Sequence, residues 1–128
     1  MFIKINKRFY MAAGLIVDDS KFMRRIIADI LVSGGHTIIG EADNGQDGVD
    51  LYSELKPDFV TMDITMGGKD GINAVKEIKT KFPGSKIIVV SALNENTIKM
   101  NDEEINADAY ITKPFDSETL LKLVEKII

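Results

Sequence analysis

Short apolar runs alternate with amphipathic stretches five times along the chain. Residues 13–17 (Ala-Gly-Leu-Ile-Val) read as a buried strand, apolar, short and followed by polar residues. From 21 to 33, Phe22, Met23, Ile26, Ile27, Ile30 and Leu31 recur at helical spacing, and Gly34-Gly35 stops that helix. Residues 37–42 suit a second strand. Asn44-Gly45 turns into a helix over about 46–56 with Val49, Tyr52 and Leu55 inward, closed by Pro57, which cannot continue the hydrogen-bond ladder. A third strand, 59–62, ends at Asp63. A glycine-rich loop (Gly67, Gly68, Gly71) leads to a helix over about 72–82, broken by Pro83-Gly84. Residues 86–91 form the clearest strand. A weaker helix is expected over roughly 95–105, a short fifth strand over 109–112, and a last helix that Asp116 or Ser117 caps, carrying Leu120, Leu121, Val124 and Ile127.

Strands that alternate with helices predict an α/β fold with a parallel sheet, because parallel neighbours require crossover connections. Those crossovers are right-handed and place helices on both faces. In open sheets of this kind ligands sit beyond the carboxyl ends of the strands. Strand one ends in Asp18-Asp19, strand three in Asp63, strand four in Ser91 and strand five in Lys113. Three carboxylates, a hydroxyl and an ammonium are therefore expected to meet at one edge.

Clustered carboxylates repel unless a cation neutralises them, and an all-oxygen site with few protein ligands suits Mg²⁺. Carboxylates also serve as nucleophiles that form aspartyl phosphates. The set thus predicts phosphoryl transfer to Asp63, with Lys113 and the metal stabilising phosphoryl oxygens and Ser91 donating a hydrogen bond. Taken singly, each residue has a plainer reading. Asp18-Asp19 can cap the following helix, Asp63 can be a turn residue, Ser91 structural, and Lys113 a solvated surface lysine. The chemical reading accounts for all of them together.

Composition narrows the field. At 128 residues with 45% apolar and 28% charged side chains, the chain is one globular domain. It has no cysteine, which excludes disulfides, thiolate metal sites and a cysteine nucleophile. The net charge of -4 speaks against direct nucleic-acid binding. No apolar run approaches the ~20 residues of a membrane span, and charges interrupt the basic opening segment, so a cytoplasmic location is expected. Met11 reads as an alternative start. Residues 1–11 are then an N-terminal extension, an extra edge segment or a product of an upstream start, before a domain over 12–128.

The motifs Leu15-Ile-Val-Asp-Asp-Ser20, Val60-Thr-Met-Asp-Ile-Thr-Met66, Val89-Val-Ser-Ala92 and Thr112-Lys-Pro-Phe115 resemble those of the response-regulator receiver family of two-component systems, specifically its single-domain, CheY-like chemotaxis type. The resemblance spans about 12–128. It implies a flavodoxin-like (βα)5, doubly wound five-stranded sheet in the order 2-1-3-4-5. It further implies that Asp63 is the phosphoacceptor and that Asp19, Asp63 and the Thr65 backbone carbonyl hold Mg²⁺, with Asp18 binding through water. Lys113 would contact the phosphoryl group and Pro114 would follow a cis peptide. Ser91 and Tyr110 would be the switch pair, and the small Ala92 would leave the site open to a donor. A histidine kinase is the implied phosphodonor, and a target protein is implied on the surface of the fourth helix, fifth strand and fifth helix. The implied protein is a switch rather than an enzyme with turnover, a monomer or a phosphorylation-dependent dimer.

Three departures from the family pattern stand out. Gly67 replaces a usual proline and Gly68 a bulkier residue, the fourth helix has weak helix formers, and Asn106 replaces a glycine whose left-handed conformation asparagine tolerates. Competing readings are a flavin-nucleotide binder, a phosphohydrolase of the haloacid-dehalogenase type, a phosphorelay intermediate and a non-phosphorylated binding module. Asp18-Asp19 would repel a flavin phosphate. The haloacid-dehalogenase type needs an Asp-x-Asp pair, whereas these two acids are adjacent.

Overall fold

A computed structural model describes residues 11–66, 70–102 and 104–128. The segment 1–10 and the Gly67-Gly68 departure lie outside the described residues. Strands β1 (Ala13–Val17), β2 (Thr37–Ala42), β3 (Phe59–Asp63), β4 (Ile87–Ser91) and β5 (Ala109–Thr112) alternate with helices α1 (Lys21–Ser33), α2 (Gly45–Leu55), α3 (Asp70–Lys81), α4 (Glu95–Asn101) and α5 (Ser117–Ile127). All four ladders are parallel, in the order β2-β1-β3-β4-β5.

Strand periodicity divides the core into two layers. Leu15, Val17, Val60, Met62 and Val89 point to the side covered by Val49 and Tyr52 of α2, Ala74, Val75 and Ile78 of α3, and Ile98 of α4. Ile16, Phe59, Ile88, Val90 and Ile111 point to the other, covered by Ile27 and Leu31 of α1 and Leu120 and Val124 of α5. Strands β3 and β4 are buried along their whole length, as central strands covered on both sides must be.

The expected elements all form, with shifted ends. Helix α2 stops where Lys56 turns left-handed (φ 46°) ahead of Pro57. Helix α3 begins at Asp70 rather than 72. Helix α4 ends at Asn101, where Asp102 becomes extended, so the expected run to 105 is corrected. Ile105 is nonetheless buried, packing from a non-helical segment. Among the described residues the non-glycine with positive φ is Lys56, so Asn106 is not left-handed. Phe22, which shares the helical spacing of the α1 core residues, is 73% exposed.

Candidate functional site

The carboxyl ends of β1, β3, β4 and β5 come together as the topology requires. Asp18 (1% exposed) and Asp63 are buried and Asp19 is exposed, and their ligand oxygens lie within 4.8 Å of one another. Lys113 reaches in from beyond β5, its Nζ 3.3 Å from Asp63 Oδ2 and 3.5 Å from Asp18 Oδ2. The peptide between Lys113 and Pro114 is cis.

Local hydrogen bonding orients each acid. Asp63 Oδ1 accepts from the backbone N–H of Thr65 (2.8 Å) and from its hydroxyl (2.5 Å). Asp63 is thus a turn residue too, through an Asx turn that leaves Oδ2 facing Lys113. Asp18 Oδ1 accepts from the Ser20 N–H at 2.9 Å. The cap of α1 is Ser20, whose hydroxyl accepts from Met23 N–H at 3.2 Å, so the capping explanation for Asp18-Asp19 falls away.

Among the described residues Asp18 Oδ2 is buried and receives no hydrogen bond, with Lys113 at ion-pair distance. Burial raises the Asp18 carboxyl above its ordinary pKa and the charge of Asp63 adds to this, against the Ser20 N–H and Lys113. Among the described residues, an orphaned carboxylate oxygen beside two further carboxylates, answered by the Lys113 ammonium, is a donor set that fits a hard divalent cation.

Ser91 is buried at the end of β4, and its hydroxyl oxygen accepts from Leu93 N–H at 2.9 Å. Ala92 beside it is exposed. Tyr110 is half-buried against the core with its hydroxyl accepting from Ala107 N–H at 3.2 Å, and Lys99 of α4 lies 5.4 Å above its ring.

A model of the response regulator receiver domain matches residues 15–125. The chain belongs to the response-regulator receiver family. It is 43% identical over 113 residues to chemotaxis protein CheY of Thermotoga maritima, covering 88% of this chain and 94% of that protein. Chemotaxis protein CheY of Bacillus subtilis is also 43% identical, over 114 residues, covering 89% and 95%. The fold superposes with a TM-score of 0.82 and 32% identity on a chain of the CheX-CheY-BeF3-Mg²⁺ complex of Borrelia burgdorferi, covering 90% of this chain and 87% of that one. The receiver is therefore similar over most of its length to single-domain chemotaxis CheY proteins.

The structure gives three further residues a role around this receiver's site. Arg24 of α1 donates to the Asp18 carbonyl (Nη1, 2.7 Å) and to Glu41 Oε1 on β2 (Nε, 3.0 Å). Asp70 at the start of α3 accepts from Gly45 N–H through Oδ2 at 2.5 Å, tying α3 to the start of α2. Gly71 sits so close that a Cβ there would stand 2.4 Å from the Asp63 carbonyl oxygen. The close glycine has a sequence signal, Asp-Gly opening a helix; the Arg24 contact, to a residue 17 positions away, has none.

Proposed function

We propose that the receiver is a phosphorylation-operated switch in which Asp63 takes a phosphoryl group from the phosphohistidine of a histidine kinase. The observation that carries this reading is the convergence of Asp18, Asp19 and Asp63 within 4.8 Å with Lys113 against Asp63. In the step, an Asp63 oxygen forms the new P–O bond as the donor's P–N bond breaks, and the freed imidazole takes up a proton. Oδ2, which is not held by Thr65, is the better-placed nucleophile. Mg²⁺ bound by Asp18, Asp19, Asp63 and the Thr65 backbone carbonyl would supply positive charge to phosphoryl oxygens. Lys113, already 3.3 Å from Asp63 Oδ2, would supply more by turning its ammonium from the acids to a phosphoryl oxygen.

In this reading Ser91 exchanges its bond from Leu93 for a phosphoryl oxygen, and Tyr110 breaks with Ala107 as the second half of the switch. The surface of α4, β5 and α5 then presents a changed face to a target protein. Similarity to CheY proteins over most of the chain supports a role in chemotaxis signalling. Beyond self-catalysed phosphorylation and dephosphorylation, no enzymatic turnover is assigned. No helix among the described residues is long and apolar enough to cross a membrane, in keeping with a cytoplasmic protein.

Intact mass after incubation with Mg²⁺ and acetyl phosphate tests the proposal, with Asp63→Asn as control. One phosphoryl group per chain, absent with EDTA and in the variant, is expected. An unlabelled but folded native chain would favour a non-phosphorylated binding module, and continuous phosphomonoester turnover a hydrolase.

A further inference from the structure

The ladder that carries β1 ends one residue before the acid pair. Val17 is the last residue of β1 paired with both neighbours, Ala42 on β2 and Met62 on β3. Asp18 still donates its N–H to the Ala42 carbonyl at 3.0 Å, but beyond that point no strand remains to take its own carbonyl. Arg24 takes it instead. One turn into α1, the guanidinium donates Nη1 to the Asp18 oxygen at 2.7 Å and Nε to Glu41 Oε1 at 3.0 Å. The Arg24 side chain is largely buried, 16% exposed, and Glu41 neighbours the residue that holds the Asp18 N–H.

That bond fixes more than one atom. The Asp18 carbonyl shares its peptide plane with the Asp19 nitrogen and Cα. Pinning the oxygen therefore sets the rotation of the Asp18–Asp19 peptide and, with it, the splay between the two carboxylates. Ser20 N–H on Asp18 Oδ1 orients one acid within that frame; Asp19, exposed and without a side-chain hydrogen bond among the described residues, is oriented by its backbone. We infer that Arg24, braced by Glu41, is the positioning residue that holds the Asp18–Asp19 pair in its metal-binding geometry. The inference rests on the Mg²⁺ reading proposed above.

Charge and geometry predict opposite signs here, which makes the role measurable. A cation near a metal site repels the metal, so if charge alone mattered, removing Arg24 would tighten Mg²⁺ binding. If Arg24 positions the acids, its loss weakens binding by about tenfold, the usual scale for groups that orient metal ligands. Calorimetric titration of Mg²⁺ into the native chain, Arg24→Met, Glu41→Gln and Glu41→Ala separates these cases, with thermal melts confirming each fold. Arg24→Met is expected to bind about tenfold more weakly. Both Glu41 variants lose the same charge, but only glutamine keeps an acceptor for Arg24 Nε, so Glu41→Ala should bind more weakly than Glu41→Gln. This second comparison, at an exposed strand position, stands even if Arg24→Met does not fold. Unchanged or tighter binding in a folded Arg24→Met, or equal affinities for the two Glu41 variants, would overturn the positioning role. Absence of Mg²⁺ binding by the native chain would overturn the metal reading beneath it.

Discussion

Replacing Asp18 by asparagine is expected to stabilise the metal-free protein while abolishing its response to Mg²⁺. Asparagine has nearly the same shape and keeps an oxygen for the Ser20 N–H, which is 2.9 Å from Asp18 Oδ1, so the substitution chiefly removes charge. At an effective dielectric of about 20, charges 4.8 Å apart repel by about 3.5 kcal/mol. The buried Asp63 exerts that repulsion in full, whereas solvent around the exposed Asp19 cuts its share to roughly half. Losing the attraction of Lys113 at 3.5 Å costs about 4–5 kcal/mol on the same scale. These opposing Coulomb contributions nearly cancel, so desolvation decides. Asp18 holds a charged group at 1% exposure with one oxygen unbonded, a penalty of about 1–3 kcal/mol that a neutral amide largely escapes.

The expected gain is about 1–2 kcal/mol in EDTA, read as a rise in Tm of roughly 3–6 °C. Mg²⁺ at ten times its dissociation constant should then stabilise the native chain by about 1.4 kcal/mol and leave Asp18→Asn unmoved. Paired thermal melts in EDTA and Mg²⁺ make the measurement. A variant less stable than the native chain by more than about 1 kcal/mol in EDTA would refute the reasoning, because Asp18 would then be part of the scaffold and not a charge held for a cation.

Two further perturbations probe the frame around the site. Gly71→Ala trades a helix-propensity gain of about 1 kcal/mol against a Cβ 2.4 Å from the Asp63 carbonyl oxygen and 2.7 Å from Ile64 Cα, both backbone. Overpacking of about 1–3 kcal/mol should win, so urea unfolding should show a net loss and phosphoryl labelling of Asp63 should slow; a more stable variant would contradict this. His36 is buried, its Nδ1 accepts from Ala12 N–H at 3.2 Å, and its ring meets Phe59 edge-on. Burial lowers its pKa below the ordinary value, against the charge of Glu125. A lowered pKa means that the folded state disfavours the imidazolium. The stability His36 contributes is complete above the unfolded pKa of about 6.5 and is lost as pH falls from there toward the native pKa. Native stability minus that of His36→Gln should therefore shrink between about pH 7 and 5, and a difference independent of pH would exclude the imidazole as its source.

The parts of the molecule written in local pattern were legible, and those that depend on contacts between distant segments were not. Strands β1, β2 and β5 fall where the apolar runs place them, β3 takes in Asp63 and β4 begins one residue later; the runs are plainest in the central strands, which are covered on both sides. The meeting of Asp18, Asp19, Asp63 and Lys113 was legible because strand direction sends the strand ends to one edge. Helix α4 was overextended for a physical reason: Ile98 and Ile105 share helical spacing and both are buried, yet Asn101 and Asp102 are poor helix formers and the chain leaves the helix between them. The acid pair looked like a cap because Ser20, the real cap, directly follows it. The brace of Arg24 by Glu41 and the tie from Asp70 to Gly45 were not legible because the partners are 17 and 25 residues apart.

The seven residues of α4 have a consequence for how cheaply the domain can change state. An isolated helix below about 12 residues does not hold in water, so α4 persists through its attachments. Among the described residues these include the buried Ile98, the Asn94 cap on Thr97 N–H, Lys99 above the Tyr110 ring, and the ion pair at 2.8 Å between Lys76 of α3 and Asp102. A seven-residue helix with one buried apolar residue opens locally at a smaller free energy than the fully buried β3 and β4. Allosteric coupling typically supplies only about 1–3 kcal/mol, too little to disturb the central sheet and enough to redistribute a weakly held segment among its conformations. The sheet can then keep its acids fixed while the neighbouring surface is free to report on them.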